Sequence, residues 1–248
     1  AMSMVTPEMR CDHSSLQWLS VGAAPVAPSL IIQYSEIGIQ LRQVYGLTET
    51  GGPACLMDDM NGLMRPNSTG RSFFLTDVRI ADAEGRDCEC GEPGEVLIRG
   101  AHVMVGYWRR PEATADALRG GWFYSGDIGS IDDDGFVTIL DRKKDMIVSG
   151  GENIYPAEIE GVLLTQDGIA DAAVIGQPSA KWGESPVAVV VTSTAAVSQQ
   201  QVIDDCRQHL ASCKVPKAVI FVDLIPRNAS GKILKRVLRE QYPGPLVE

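Results

Sequence analysis

One stretch, Asp141-Arg-Lys-Lys-Asp-Met-Ile-Val-Ser-Gly-Gly-Glu-Asn-Ile-Tyr-Pro-Ala-Glu-Ile-Glu160, limits the folds open to this chain more than any other. A charged cluster, Asp141 to Asp145, runs into a short apolar strand, Met146 to Val148. A Gly150-Gly151 loop follows, and then a helix opening at Pro156, which has no N–H to lose in a first turn. The two glycines carry no Cβ and so let backbone approach another body, although an ordinary turn uses the same pair. Cluster, strand, bare loop and helix in fixed order are far more specific than the Gly-Gly core alone.

At 248 residues the chain has room for one large domain or two ordinary ones. Hydrophobic residues at 44% and charged residues at 22% are globular values that predict a packed core. A formal charge of −10 argues against nonspecific nucleic-acid binding, which needs a basic face. It leaves room for a local phosphate pocket, since Lys and Arg cluster in two places. The six cysteines, Cys11, Cys55, Cys88, Cys90, Cys206 and Cys213, show no CxxC rhythm and no His-rich partner. Reduced thiols are the expectation, not a disulfide framework or a metal site. Ala1 to Met4 lacks an apolar signal core, and runs such as Val187 to Val191 are too short to span a bilayer. The sequence predicts a soluble, cytoplasmic protein with no transmembrane segment.

Three zones separate by pattern. Residues 1–50 hold an apolar run, Leu16 to Val21, a helical candidate at 27–37 and an alternating segment, Leu41 to Tyr45. Strand, helix and strand make the end of a parallel α/β layer rather than a complete one. Residues 51–143 are dense in turn signals with short strands between them, such as Asp77 to Ala81, Val96 to Arg99 and residues 136–140. That pattern predicts a β-rich subdomain, a small barrel or curled sheet. Asp132-Asp133-Asp134-Gly135 there has the composition of a cation loop, and a solvated hairpin tip is the better reading. Residues 144–248 interleave helices at 156–164, 199–210 and 231–240 with strands at 172–175, 187–192 and 218–222. They predict a small C-terminal α+β domain.

Three further phrases carry chemistry, as does the charged cluster that opens 141–160. Tyr45-Gly46-Leu47-Thr48-Glu49-Thr50 follows a strand and offers an aromatic face, a hydroxyl and a carboxylate. A purine can stack on Tyr45, Thr48 can bond a phosphate oxygen, and Glu49 can hold Mg²⁺ through hard oxygen. A plain polar strand end has the same look. Gly121-Trp122-Phe123-Tyr124-Ser125-Gly126-Asp127 ends in a carboxylate suited to two ribose hydroxyls, or one that simply caps a turn. Asp141-Arg142-Lys143-Lys144 is cationic, and Lys143 reads as solvated charge more readily than Lys144. Pro226-Arg227-Asn228-Ala229-Ser230-Gly231-Lys232 sets Lys232 at the start of the last helix, where charge patterning alone makes it one basic surface residue among Lys235, Arg236 and Arg239.

Together with 141–160, these phrases resemble the adenylate-forming superfamily, the acyl-CoA synthetases and their relatives. The first phrase matches the family's Tyr-Gly-x-Thr-Glu signature, the second its Trp-(Phe/Tyr)-x-(Ser/Thr)-Gly-Asp pattern. The resemblance implies that Tyr45 packs on adenine beside Gly46, Thr48 contacts the α-phosphate and Glu49 takes Mg²⁺. It implies that Asp127 and Arg142 hold the ribose and that Gly22-Ala23-Ala24-Pro25 forms the adenine-side loop. That loop is usually written with two glycines, and Ala23 departs from it. Lys144 falls at the family's hinge, where members carry Asp or Lys. Gly150, Gly151 and Glu152 would line the tunnel for coenzyme A. Lys232 would bridge the carboxylate and the α-phosphate of ATP, a task suited to a compact ammonium.

One departure weighs most. The family's Ser/Thr/Gly-rich phosphate loop ending in Pro-Lys-Gly has no counterpart before Tyr45, and Ser68-Thr69-Gly70-Arg71, the nearest composition, lies downstream. The resemblance therefore implies a truncated adenylate-forming fold whose N-terminal half is missing. The parent would be an ATP-dependent acid–thiol ligase acting on a fatty or aromatic carboxylic acid, with this chain alone inactive. Free coenzyme A is the expected acceptor, because no carrier-like segment follows Glu248. A module loading a carrier-protein thiol and an inert nucleotide-binding fragment are the alternatives.

Overall fold

The computed structural model describes residues 14–23, 26–193, 197–229 and 231–245. The chain divides into two compact units, Ala1–Ile139 and Leu140–Glu248.

In the first unit β1 (Leu19–Gly22) lies parallel to β2 (Leu41–Leu47), and α1 (Pro28–Glu36) connects them. Pro28 opens the helix, and Ile31, Ile39 and Leu41 close a small core beneath it. This is the expected strand–helix–strand piece. After a 3₁₀ turn at Thr48–Thr50, β3 (Gly52–Leu56) returns antiparallel to β2 and carries β4 (Arg71–Ser72) on its far edge. Ser68 and Thr69 both donate hydroxyl bonds to the Val137 carbonyl, at 2.7 and 3.1 Å. Gly70 lies where a Cβ would strike Leu56 backbone at 2.0 Å. This segment is strapped to its neighbours as structure.

The second sheet orders β5 (Asp77–Ala81), β6 (Gly94–Arg99), then β8 (Trp122–Ile131) and β7 (Leu118–Arg119), with β9 (Val137–Arg142) along β8. α2 (Pro111–Ala117) precedes β7. Tyr45, Leu47 and Ala54 of the first sheet share a core with Ile80, Val96, Ile98 and Phe123 of the second. That contact fixes the two sheets against each other. At 132–135 Asp132 accepts N–H bonds from Asp134 and Phe136, and Arg65 pairs with Asp132 and Asp134. The aspartates are engaged as a hairpin tip. Among the described residues no group of three His, Cys, Asp or Glu is placed to hold a metal. The cysteines described, Cys55, Cys88, Cys90, Cys206 and Cys213, are free thiols. Burial pushes the Cys55 thiol up to about 12. No helix among the described residues is long and apolar enough to cross a membrane.

The second unit is built on β10 (Ile147–Ser149), β11 (Glu152–Ile154), β12 (Ile169–Ser179), β13 (Gly183–Thr192) and β14 (Ala218–Phe221), in the order β11-β10-β13-β12 with β14 on β13. α3 (Pro156–Leu163) and α4 (Gln199–His209) cover one face through Ile159, Leu163, Val202 and Cys206, against Val174, Ala188 and Val190. α5 (Lys235–Gln241) covers the other with Leu238 on Ile175, Val187 and Val189. Cover on both faces explains the unbroken apolar run of β13.

Two expectations need correction. The loop at 150–151 is flanked by strands on both sides, because β11 pairs back on β10 with Ser149 opposite Glu152. The last helix begins at Lys235 and not at Gly231. Through Leu234 the chain is still a narrow loop, with Ile233 bridged to Arg227 and the Leu234 N–H bonded to the Pro226 carbonyl.

A charged cluster underlies α5. Lys235 Nζ lies 2.8 Å from Glu160 Oε1 and 4.0 Å from Asp141 Oδ2, with all three side chains nearly buried. Glu160 also accepts the Val174 N–H, and Asp141 accepts the Ala157 N–H at the start of α3. Burial raises the Glu160 carboxyl above its ordinary range, with Lys235 opposing. Removing one member strands a buried charge. Glu160→Ala is therefore expected to cost about 3–5 kcal/mol of stability. Urea unfolding checks this, and a loss below about 1 kcal/mol would show that Asp141 alone compensates Lys235.

Candidate active site

The first unit gathers most of the nucleotide-side residues. Gly22 ends β1 where an added Cβ would meet the Val44 carbonyl at 2.4 Å, so close strand pairing demands glycine. Ala23 follows with φ of 69°, the left-handed region that favours glycine. Ala23 thus occupies a backbone position that a second glycine would fill without strain. Ala24 and Pro25 lie outside the described residues.

Tyr45 leaves β2 toward the second sheet, and its hydroxyl donates to Asp127 Oδ2 at 2.8 Å. Two phrases far apart in sequence thus meet side chain to side chain. Burial first, and then the Asp127 charge, raise the Tyr45 phenol well above its ordinary value, so it remains a neutral donor. Asp127 is 5% exposed, and its N–H bonds Ser125 Oγ. Gly46 has a packing reason of its own, since a Cβ there would meet the Gly52 carbonyl at 2.4 Å.

The Thr48–Thr50 turn presents the next pair. Thr50 is buried and pins the turn, accepting the Leu47 N–H and donating to the Gly52 carbonyl at 2.7 Å. Thr48 is left exposed and Glu49 half-buried. Glu49 Oε1 accepts the Tyr107 hydroxyl at 2.8 Å, and the Glu49 carbonyl accepts the Met104 N–H. A carboxylate has lone pairs beyond the one Tyr107 uses. A single such group beside a hydroxyl fits Mg²⁺, which keeps water and phosphate oxygens instead of seeking an all-protein cage.

Two residues here escaped the sequence reading. Tyr107 orients Glu49. Glu95, buried on β6, accepts the Gly126 N–H at 3.1 Å and so shapes the turn that delivers Asp127. The available signal for Glu95 was a carboxylate inside the apolar run of β6; Tyr107 had none.

In the second unit Arg142 ends β9, and Lys144 is exposed in the turn closed by the Asp145 N–H on the Arg142 carbonyl, at 2.9 Å. Asp145 is buried and holds Arg239 at 2.9 Å. Gly150 and Gly151 have φ of 61° and 88°, the positive pair that a two-residue hairpin turn requires. Gly150 is also pressed by Trp182, whose ring lies 2.9 Å from where a Cβ would stand. Glu152 starts β11 and is exposed. Lys232 is half-buried in the loop before α5, its N–H bonded to Asn228 Oδ1 at 2.8 Å.

The family model for AMP-binding enzymes matches residues 2–108, and the model for the AMP-binding enzyme C-terminal domain matches 158–232. The chain belongs to the AMP-binding, adenylate-forming enzymes. Among its relatives, long-chain-fatty-acid–CoA ligase FadD13 of Mycobacterium tuberculosis is 46% identical, over 97% of this chain and 48% of the relative. Feruloyl-CoA synthase of a Streptomyces species is 44% identical, over 93% and 47%. Among solved structures, o-succinylbenzoate CoA synthetase (MenE) from Bacillus subtilis with the acyl-adenylate OSB-AMP has a TM-score of 0.88 at 36% identity, covering 96% of this chain and 48% of that one. The same enzyme with ATP and magnesium ion gives 0.86 at 36% identity, over 93% and 47%. The chain spans about half the length of the curated relatives it matches.

Proposed function

We propose that the protein to which this chain belongs activates a carboxylic acid with ATP and passes the acyl group to coenzyme A. The observation that carries this reading is the Tyr45–Asp127 hydrogen bond, which joins the proposed adenine and ribose residues in one place. In the first step a carboxylate oxygen attacks the α-phosphorus, the bond to the bridging oxygen breaks, and pyrophosphate leaves. Asp127 accepts the ribose hydroxyls, with Arg142 as its partner in that task, and Thr48 bonds the α-phosphate. Gly22, Ala23, Ala24 and Pro25 form the adenine-side loop, with Tyr45 and Gly46 opposite. Lys232 neutralises the charge shared by carboxylate and α-phosphate. Mg²⁺ held by Glu49 would supply further neutralisation on the phosphates. In the second step the thiolate of coenzyme A attacks the acyl carbon and AMP departs.

Residues 144–248 are proposed as the mobile domain, turning at Lys144, with 51–143 a β-rich subdomain and 1–50 the end of the large domain. Rotation would withdraw Lys232 and bring Gly150, Gly151 and Glu152 to the pantetheine path. The FadD13 and feruloyl-CoA synthase relatives support a fatty or aromatic acid. This chain alone, without a phosphate loop, is expected to show little adenylation.

ATP–pyrophosphate exchange on the 248-residue chain and on the full-length protein tests the reading. Acid-dependent exchange is expected from the full-length protein alone. Robust exchange by the 248-residue chain would contradict the fragment reading, and none from either would favour an inert nucleotide-binding module. Supplying coenzyme A or a carrier protein then separates the two thiol acceptors.

A further inference from the structure

The loop that carries Lys232 is closed on itself. The Asn228 N–H bonds the Lys232 carbonyl at 2.9 Å, the Lys232 N–H returns to Asn228 Oδ1 at 2.8 Å, and Gly231 donates to the Asn228 carbonyl at 2.9 Å. The Leu234 N–H on the Pro226 carbonyl and the Arg227–Ile233 bridge shut its base. These bonds fix the loop's shape, but they do not fix its attitude to the sheet below.

Arg227 does that. Its Nη2 donates to both carboxylate oxygens of Asp171 on β12, each at 2.8 Å. Its Nη1 donates to the Gly231 carbonyl at 2.8 Å, the peptide that leads directly into Lys232. Asp171 is itself held, since its Oδ1 accepts the Ala172 N–H at 3.0 Å, beside the register shift in β12. One planar, permanently charged group therefore ties the peptide before Lys232 to a fixed point on the sheet. A guanidinium can do this because its donors diverge in a rigid fork, whereas an ammonium offers a single point charge. The side chains of Arg227 and Asp171 are 40% and 27% exposed, and pairs this exposed add little to stability. Geometry is what the contact contributes.

We infer that Arg227 is a positioning residue, acting through the Gly231 peptide to aim Lys232 at the reacting phosphate. The inference rests on the proposed role of Lys232.

The test uses the full-length protein with Arg227→Met, Arg227→Lys and Lys232→Ala. Arg227→Met is expected to slow pyrophosphate exchange about 10- to 100-fold, the scale on which small misplacements act. KM for ATP and the rate of thioester formation from supplied acyl-AMP should stay within about twofold, because the charge that Lys232 meets develops only in the transition state of the first half-reaction. The thermal midpoint should move by no more than about 4 °C. Arg227→Lys keeps the charge but loses the second arm, so exchange should remain depressed. Full activity in Arg227→Lys would overturn the fork argument. So would normal exchange in Arg227→Met, or equal damage to both half-reactions with a large fall in midpoint. If Lys232→Ala also exchanges normally, the proposed role of Lys232 fails and takes the inference with it. If Lys232→Ala is crippled while Arg227→Met is not, the inference fails alone.

Discussion

Replacing Lys232 with alanine in the full-length protein is expected to lower acyl-AMP formation by about 10²–10³-fold, while thioester formation from supplied acyl-AMP survives. The factor is the typical cost of one preorganised charge contact to a developing transition state. The asymmetry follows from the proposed rotation, which leaves the Lys232 loop at the site for the first half-reaction only. Lys232 is half-buried, and its backbone N–H and carbonyl both bond Asn228, so truncating the side chain leaves these two backbone bonds in place. The two half-reactions are timed separately, by pyrophosphate exchange and by transfer from purified acyl-AMP. Equal losses in both would contradict the assignment.

Lys144→Pro should do the reverse. Proline fixes φ near −65° and removes the soft dihedral on which a rotation would turn. Lys144 is exposed in a tight turn, with buried Asp145 anchored to Arg239 immediately after it. The side chain itself buries little. Pyrophosphate exchange is expected to persist and transfer to coenzyme A to collapse, and persistence of exchange shows that the variant is folded. A Lys144→Pro protein with normal transfer would put the turning point elsewhere.

The parts of the fold that were legible in the sequence are those written in local periodicity. The apolar run of β13 and the spacing of Val202, Ile203 and Cys206 on α4 describe faces that the core then buries. β11 escaped because Glu152 and Asn153 are exposed and polar, and only Ile154 turns inward. The signal was in the turn: a Gly-Gly pair between short segments is what a two-residue hairpin with two positive φ values demands. The start of α5 was misplaced because Ile233 and Leu234 look like part of its apolar face. Their backbone is used instead to close the Lys232 loop on Arg227 and Pro226.

At the candidate site the same division holds. Tyr45, Thr48, Glu49 and Asp127 sit in phrases distinctive enough to read from the chain. That Tyr45 bonds Asp127 is a tertiary fact, spanning 82 positions, and no local pattern encodes it. The supports are less legible still. Tyr107 reaches Glu49 across 58 positions, and Glu95 reaches Gly126 across 31 through the pairing of β6 with β8. Ala23 shows the opposite case, a one-residue departure visible in sequence whose consequence, a strained left-handed backbone, appears only in three dimensions.

The central claim is that these residues serve ATP-dependent activation of a carboxylic acid through an acyl-adenylate. The most direct measurement incubates the full-length protein with ATP, Mg²⁺ and a panel of fatty and aromatic acids, without coenzyme A, and identifies the products by mass spectrometry. The account predicts acyl-AMP and pyrophosphate with at least one acid, and conversion to acyl-CoA and AMP once coenzyme A is added. Formation of ADP with an acyl phosphate, or release of phosphate with no adenylate from any acid, would contradict it.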